Sequence, residues 1–263
     1  MTSMKYAIFL FIAGCIGRAA GQLHCPEAYD LRIHECGAKP LRSLVAAGND
    51  CMTATRLLEF ARWLKSVEKP CSTIVSDVGA RYASFRDTAV FPIDYSGVSF
   101  IGRPEAPVKI IAYISMSCPL CKKLYREIAD SLVSPGRSDR IAFGVKPFAA
   151  TQMEQALVAA RNWDRQPRLL LALAPVTERI TMNTILKAAD SLGIPAADFK
   201  RRIEDNQVAA QVAASRAEAI GNGVTVTPTF FINGKRYAGY KNSRWVIDAA
   251  EHETLRNAGV PRK

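Results

Sequence analysis

Histidine is scarce in this chain, with three among 263 residues and no two spaced as HxxxH. The sequence also has a single CxxC motif, at residues 118–121, and Lys122 rather than histidine follows it. A zinc site needs further ligands at paired spacing, and covalent haem attachment needs a histidine directly after the motif. We therefore predict no metal and no organic cofactor. One alternative stays open, because His24 and His34 each lie within two residues of a cysteine and would suit a Cys/His metal cluster.

Long basic runs are also missing, although the net charge is +11 and the isoelectric point is near 9.5. The longest unbroken run is Lys200-Arg201-Arg202, and the other lysines and arginines are scattered. This distribution is typical of a solvated basic surface. We predict no nucleic-acid partner.

After the N-terminus, no segment is long and apolar enough to span a bilayer. At the N-terminus, Lys5 precedes an apolar core of seven residues, and small residues follow, which is the pattern of an export signal. We predict that residues 1–21 are a signal peptide of a bacterial periplasmic or secreted protein. The alternative is a lipobox, Ile12-Ala13-Gly14-Cys15, in which a lipid on Cys15 would anchor the protein to a membrane.

The CxxC motif, Cys118-Pro119-Leu120-Cys121, directly follows an apolar run at residues 108–114 that is typical of a buried strand. Apolar residues at helical spacing come next, so Cys118 falls where a strand ends and a helix begins. Unpaired N–H groups and the helix dipole stabilise a thiolate there, and the thiolate is the form that attacks disulfides. Cys118 is predicted to be the attacking cysteine. Cys121, one turn further, is predicted to close an internal disulfide.

A second segment, at residues 223–234, combines a Thr-Pro pair, an apolar strand and an Asn-Gly turn. Proline cannot donate to a sheet ladder, so Pro228 at the head of a central strand indicates a special turn. A cis bond between Thr227 and Pro228 is one such device. Phe230 and Phe231 are predicted to lie in the core.

These two segments together resemble the DsbA-like thioredoxin-fold thiol-disulfide oxidoreductases, over roughly residues 98–260. The resemblance implies an α/β thioredoxin fold at residues 107–263 with a helical insertion at about 149–222. It also implies that Thr227 and Pro228 pack against the cysteine pair and present a backbone edge to the substrate polypeptide. Within the insertion, Thr151 and Glu154 have the spacing of a capping box that opens a helix.

Two positions depart from the family pattern. Leu120 stands where strongly oxidising members carry histidine, so the Cys118 thiolate gains no neighbouring positive charge and the disulfide should be less oxidising. Ala112 stands where the family often has a buried acid that relays a proton to the second cysteine. Another group or water must then move that proton.

Residues 22–90 are predicted to form a separate, small helical domain that carries four cysteines, followed by a linker at residues 91–106. Without Cys15 the chain has an even number of cysteines, which suggests three disulfides in an oxidising compartment. An amphipathic helix from Cys51 to about residue 66 would be roughly 24 Å long and would separate Cys51 from Cys71. A further helix at residues 40–47 would separate Cys36 from Cys51. An antiparallel bundle then predicts the structural pairs Cys25–Cys51 and Cys36–Cys71.

The leading hypothesis is an exported thiol-disulfide oxidoreductase that acts on cysteine-containing polypeptides and is recycled by a membrane or periplasmic redox partner. Within the same fold, an isomerase or a reductase is the alternative. A binding module in which the CxxC motif is only structural is the alternative from another class. A catalytic disulfide exchanges readily with thiols, whereas a structural one resists reduction.

Overall fold

The computed structural model describes residues 25–46 and 51–257. The predicted signal peptide, the lipobox cysteine Cys15 and His24 lie outside the described residues. Within the described part of the chain, no helix is both long enough and apolar enough to cross a membrane.

The N-terminal unit consists of a short hairpin and three helices. Strands β1 (Arg32–Ile33) and β2 (Lys39–Pro40) pair antiparallel, and helices α1 (Leu41–Ala46), α2 (Met52–Ser66) and α3 (Cys71–Arg86) follow. The apolar stripe of α2 is buried, as its spacing predicts, with Leu57, Phe60 and Leu64 fully enclosed. The prediction of a disulfide-bonded helical unit at the N-terminus is confirmed.

The predicted cysteine pairing is wrong. Cys25 is bonded to Cys71, with 5.2 Å between their Cα atoms, and Cys36 is bonded to Cys51, with 5.9 Å. Cys51 and Cys71 do begin successive helices that α2 separates. The error lies in the segment before them, because α1 has six residues and rises only about 9 Å. The β1–β2 hairpin therefore keeps Cys36 at the Cys51 end of α2, and Cys25 lies beside the start of α3.

The second part of the chain is built on a five-stranded mixed sheet in the order β3-β5-β4-β6-β7. The strands are β3 (Phe100–Ile101), β4 (Val108–Ile114), β5 (Ile141–Pro147), β6 (Thr229–Ile232) and β7 (Lys235–Arg236). The central strand β4 runs parallel to β5 and antiparallel to β6. Strands β4, β5 and β6 are almost wholly buried, as expected for a sheet that is covered on both faces.

Alternate residues of β4 face two separate cores. Ile110 and Ile114 belong to the main core, which also contains buried residues of helices α4 (Pro119–Leu132) and α10 (Ser243–Asn257). Ile111 and Tyr113 belong to a smaller core on the other face. Apolar residues of the predicted linker pack on this smaller core, and β3 of the same segment pairs with β5. The segment at residues 91–106 is therefore in contact with the sheet, whereas its role as a domain boundary stays a prediction.

Five helices lie between β5 and β6, where the helical insertion is predicted. They are α5 (Gln152–Ala159), α6 (Gln166–Leu173), α7 (Met182–Ser191), α8 (Ala196–Ile203) and α9 (Asn206–Gly221). The predicted α/β architecture, with a helical block inserted between β5 and β6 and a small disulfide-bonded helical unit before the sheet, is thus observed.

The N-terminal unit packs against the last helix of the sheet part. Phe60 and Trp63 of α2 contact the Trp245 ring of α10, with ring centroids 5.0 and 5.7 Å apart. Arg81 of α3 is fully buried there, where it donates to the Trp245 carbonyl at 3.2 Å and pairs with Asp248. The two parts of the chain thus share one continuous core.

Candidate active site

Cys118 lies at the point that the sequence predicts, four residues after the end of β4 and at the N-cap of α4. Its sulfur accepts a hydrogen bond from the Cys121 backbone N–H at 3.3 Å, so the thiol group takes the place of a capping oxygen. The Cys118 N–H donates to the Ser115 carbonyl at 3.1 Å, which closes a tight turn between strand and helix. Pro119 occupies the first helical position, where its missing N–H leaves no bond unmade.

The two cysteines of the motif differ in accessibility. Neither is in a disulfide here, Cys118 is half-buried, and Cys121 is only 2% exposed. Burial raises the pKa of Cys121 to about 12, and its interaction with Cys118 adds to that rise. The Ser115 backbone and Thr227 act in the opposite direction. Cys121 is consequently a protonated thiol at neutral pH, whereas Cys118 is the cysteine that a reactant can reach.

The Thr-Pro segment meets the cysteines as predicted. The Thr227–Pro228 bond is cis, and the Thr227 carbonyl oxygen lies 3.7 Å from the Cys118 sulfur. The sheet brings about this contact, because β6 begins opposite Tyr113 near the end of β4. Cys118 and Thr227 are 109 residues apart in sequence, and they come together beyond the end of the central strand β4.

A carboxylate that the sequence does not place at this site lies beneath the active-site turn. Glu154 is fully buried, and its side chain accepts from the Met116 N–H at 2.8 Å and from the Ser115 hydroxyl at 3.4 Å. It also accepts from the Thr151 hydroxyl of the predicted cap. The capping-box spacing identifies the helix start correctly. It gives no signal that the same carboxylate holds the turn before Cys118.

The chain also brings a cation to the site, which sequence analysis misses. Lys241 is half-buried in the connection between β7 and α10. Burial lowers the pKa of its ammonium group, and interactions with Cys121 and Cys118 oppose that lowering. Nothing in its local sequence distinguishes it from the other lysines.

Two exposed apolar side chains belong to the segments that form the site, one in the CxxC motif and one before the cis-proline. Leu120 is 39% exposed between the two cysteines, and Val226 is 54% exposed just before the cis peptide bond. Large exposed apolar groups beside a reactive sulfur suit contact with an apolar part of another chain.

Two of the residues considered for a metal cluster are engaged otherwise, because Cys25 and Cys36 are both in disulfides. Over residues 25–46 and 51–257 no group of three or more histidine, cysteine or acidic side chains is arranged to hold a metal ion.

Comparison with known proteins identifies the family. A family model described as thioredoxin matches residues 96–249, which is more than half of the chain and includes both the CxxC motif and the cis-proline strand. The chain belongs to the thioredoxin family.

Solved structures share the fold of this thioredoxin-family protein. A thioredoxin-like oxidoreductase from Silicibacter pomeroyi is 21% identical, with a TM-score of 0.52, over 66% of this chain and 96% of its own. BdbD from Bacillus subtilis in its oxidised form is 18% identical, with a TM-score of 0.53, over 64% and 98%. Alpha-DsbA1 from Wolbachia pipientis is 17% identical, with a TM-score of 0.51, over 64% of this chain and 96% of its own. The DsbA-like form of the thioredoxin fold is thus confirmed.

The curated proteins that match this chain are named as Na(+)/H(+) antiporters. The Na(+)/H(+) antiporter NhaA 3 of Salinispora tropica is 28% identical over 181 residues, which are 64% of this chain and 27% of the antiporter. NhaA of Nitrosospira multiformis is 28% identical over 176 residues, which are 60% and 26%. The thioredoxin-family chain thus spans about a quarter of the length of the curated relatives it matches. Such partial matches do not transfer an antiporter's activity.

Proposed function

We propose that this thioredoxin-family protein is a thiol-disulfide oxidoreductase that acts on cysteine-containing polypeptides through Cys118 and Cys121. One observation carries the proposal. Cys118 is accessible at the N-terminus of α4, and its sulfur contacts the carbonyl of Thr227, which precedes the cis-proline. Helix N-termini favour thiolates, and the open backbone edge beside Pro228 offers hydrogen-bonding groups to an extended peptide. The fold relatives include a thioredoxin-like oxidoreductase, whose activity agrees with this chemistry.

The reaction begins from a Cys118–Cys121 disulfide. A substrate thiolate attacks the Cys118 sulfur, the bond to Cys121 breaks, and Cys121 leaves as a thiolate that takes up a proton because its pKa is about 12. A second substrate thiolate then attacks the substrate sulfur of the mixed disulfide, and Cys118 leaves as a thiolate. The substrate loses two electrons and gains a disulfide, while the protein is reduced. Run in reverse, the reduced pair opens a substrate disulfide.

The location and the redox partner follow from the proposed chemistry. Net formation of disulfides requires an oxidising compartment, so we propose export to the periplasm or secretion, with a membrane or periplasmic protein that reoxidises Cys118 and Cys121. Lipidation at Cys15 is the alternative that would attach the protein to a membrane. Leu120 and the N-terminal unit make a reductase or an isomerase the second candidate within this class.

The two cysteines should react differently with alkylating agents. In the reduced protein, Cys118 should react with iodoacetamide far faster than Cys121, because Cys121 is buried and stays protonated. Mass spectrometry of peptides from a time course measures both rates in one sample. Equal rates at the two positions would contradict the assignment of Cys118 as the nucleophile.

Substitution separates the roles of the pair. Cys121→Ser should accumulate mixed disulfides between Cys118 and substrate polypeptides, because the resolving thiol is gone. The matched control, Cys118→Ser, keeps a thiol in the motif but should form none. A Cys118–Cys121 disulfide that resists excess glutathione would favour a binding module with a structural CxxC motif instead.

A further inference from the structure

A cavity of about 480 Å³ lies on the side of the sheet that carries the smaller core. Residues 94–98 before β3, residues 161–162 after α5 and helix α9 enclose it. Neither cysteine of the CxxC motif lines it, whereas four charged residues do: Asp94, Lys146, Arg161 and Glu218. The volume is in the range of small-molecule sites, so the partners of these four charges indicate which ligand would fit.

Two of the four charges neutralise each other. The buried Lys146 ammonium lies 2.7 Å from Glu218 Oε1 and donates to the Asp94 carbonyl at 2.7 Å. The Glu218 carboxylate also accepts from the Tyr113 hydroxyl of β4 and from the Asp94 N–H. Lys146 and Glu218 therefore form a neutral wall of the cavity, and neither leaves a charge for a ligand.

Arg161 brings a positive charge to the cavity, and no carboxylate of the described residues forms an ion pair with it. Its Nε and Nη2 donate to the side-chain oxygen of the buried Gln166 at 3.0 and 3.2 Å, in the orientation of the amide that directs this oxygen towards them. Its Nη1 faces Gly97, where a Cβ would lie 3.9 Å away. Burial lowers the pKa of the guanidinium to about 10, and no charged neighbour opposes that effect. Gln166 thus orients the guanidinium without neutralising it.

The guanidinium of Arg161 suits a carboxylate. A buried cation without a counter-ion costs free energy, and an anion in the cavity would recover part of that cost. Nη1 and the remaining hydrogen of Nη2 can donate together to the two oxygens of one carboxylate. The side chains of Asn162 and Gln211 line the same cavity and add amide donors.

Asp94 supplies the opposite charge. Its two oxygens accept from the Ser96 hydroxyl and the Ser96 N–H, each at 2.8 Å, and these bonds lower the pKa of the carboxyl group. Each carboxylate oxygen can accept a further hydrogen bond, so Asp94 stays open to a donor. A phosphate or a dicarboxylate would place excess negative charge in the same cavity as Asp94, whereas an ammonium group would be attracted to it. Arg161 and Asp94 together therefore favour a ligand with one charge of each sign.

We propose that this cavity binds a small zwitterion of the amino-acid or dipeptide class, whose carboxylate contacts Arg161 and whose ammonium group contacts Asp94. The inference goes beyond thiol-disulfide exchange and does not depend on it, because no residue that lines the cavity belongs to the CxxC motif or to the Thr-Pro segment. Binding involves no covalent step. It gives residues 94–98 a role in recognition in addition to their packing on the sheet.

The first test titrates alanylalanine into the full protein, with its disulfides formed, and follows the backbone amide signals by nuclear magnetic resonance. The signals of Gly97 and Asn162 should shift and saturate. N-propionylalanine lacks only the ammonium group and alanylalaninamide lacks only the carboxylate, so each should bind about tenfold more weakly, the effect of losing one charged contact. Equal affinity for all three compounds, or no saturable shift with alanylalanine, would overturn the inference.

The second test removes the cation. Arg161→Gln should weaken the binding of alanylalanine about tenfold, because the ligand carboxylate loses its charged donor. Arg168→Gln is the matched control, since Arg168 is exposed on α6 and does not line the cavity. Parent affinity in a folded Arg161→Gln protein, as judged by circular dichroism, would overturn the inference.

A third variant leaves Arg161 intact, so it decides the matter if Arg161→Gln does not fold. Gln211→Glu adds a negative charge to the wall of the cavity and should weaken the binding of alanylalanine about threefold. Gln207→Glu, one turn earlier on α9 and outside the cavity, is its matched control and should bind like the parent. Equal affinities of these two variants would contradict binding in this cavity.

Equilibration with glutathione separates this inference from the proposed function. Arg161→Gln should exchange with glutathione as the parent does, because Cys118 and Cys121 lie outside the cavity. A parent protein that exchanges but does not bind alanylalanine would overturn the cavity inference and leave the proposed function standing. A parent protein that binds alanylalanine but does not exchange would support the cavity inference and overturn the proposed function.

Discussion

Leu120 lies between the two cysteines, where a positively charged side chain would make their disulfide more oxidising. It is exposed at the start of α4 and carries no charge, so it cannot stabilise the Cys118 thiolate electrostatically. Redox proteins become strong oxidants when their reduced form is stabilised, and a neutral residue at this position weakens that effect.

The reduction potential of the Cys118–Cys121 pair should therefore lie between those of the strong oxidants and of thioredoxin, at about −240 to −150 mV. Leu120→His should raise the potential, because an imidazolium beside the helix N-terminus favours the thiolate. Leu120→Gln is the matched control, since it adds polarity without charge and should leave the potential nearly unchanged. Equilibration with glutathione, followed by quantification of both forms, gives the value. A parent potential near about −120 mV would contradict the argument from Leu120.

At the scale of elements, the sequence predicts some features well and others poorly, for physical reasons. Strand β4 and helix α4 have strong periodic signals, so Cys118 could be placed at their junction. The cis Thr227–Pro228 bond was predictable because the cis form costs little only before a proline, and Pro228 has no N–H to give to the sheet. The position of Glu154 beneath the turn before Cys118 was not predictable, since the capping-box spacing identifies only the start of α5.

The pairing of the N-terminal cysteines was likewise not predictable from local sequence patterns. Helix α2 could be predicted from its apolar stripe, and with it the separation of Cys51 from Cys71. The segment before α2 contains a two-residue strand pair and two short turns of 3-10 helix, none of which has a periodic signal. This hairpin places Cys36 at the start of α2 rather than at its end. The disulfide pairing therefore could not be derived from helix lengths alone.

The two structural disulfides should differ in how much they stabilise the protein. Cys36–Cys51 closes a separation of 15 residues and Cys25–Cys71 one of 46 residues. Chain entropy then predicts losses of about 3 kcal/mol for the double serine variant of the first pair and about 4 kcal/mol for that of the second. Urea unfolding of each variant measures the free energy of unfolding. The matched control is the Cys118→Ser/Cys121→Ser protein, in which both N-terminal disulfides are intact. A larger loss from the shorter loop would contradict the entropic account.

Across the whole molecule, the N-terminal unit and the sheet part are joined by a buried charge cluster. Arg81 is fully buried, and its guanidinium lies 4.9 Å from the centre of the Phe60 ring and 5.1 Å from that of Trp245. Asp248 of α10 pairs with both Arg81 and Arg56, so two helices of the N-terminal unit converge on one carboxylate. Such an arrangement should make the two parts unfold together.

Removing one arginine tests this coupling. Arg81→Met should lower the free energy of unfolding by about 3 kcal/mol, because it removes the side-chain donor to the Trp245 carbonyl and leaves Asp248 with Arg56 alone. Arg244→Met is the matched control, since Arg244 also reaches across this interface, to Glu59 at 3.8 Å, but both side chains are more than half exposed. Its cost should stay below about 1 kcal/mol. In a Trp163→Phe background, tryptophan fluorescence reports Trp63 and Trp245 at the interface. Far-ultraviolet circular dichroism reports all helices. In urea the two signals should change in one coincident transition in the parent protein, and separate transitions there would show that the N-terminal unit is stable on its own.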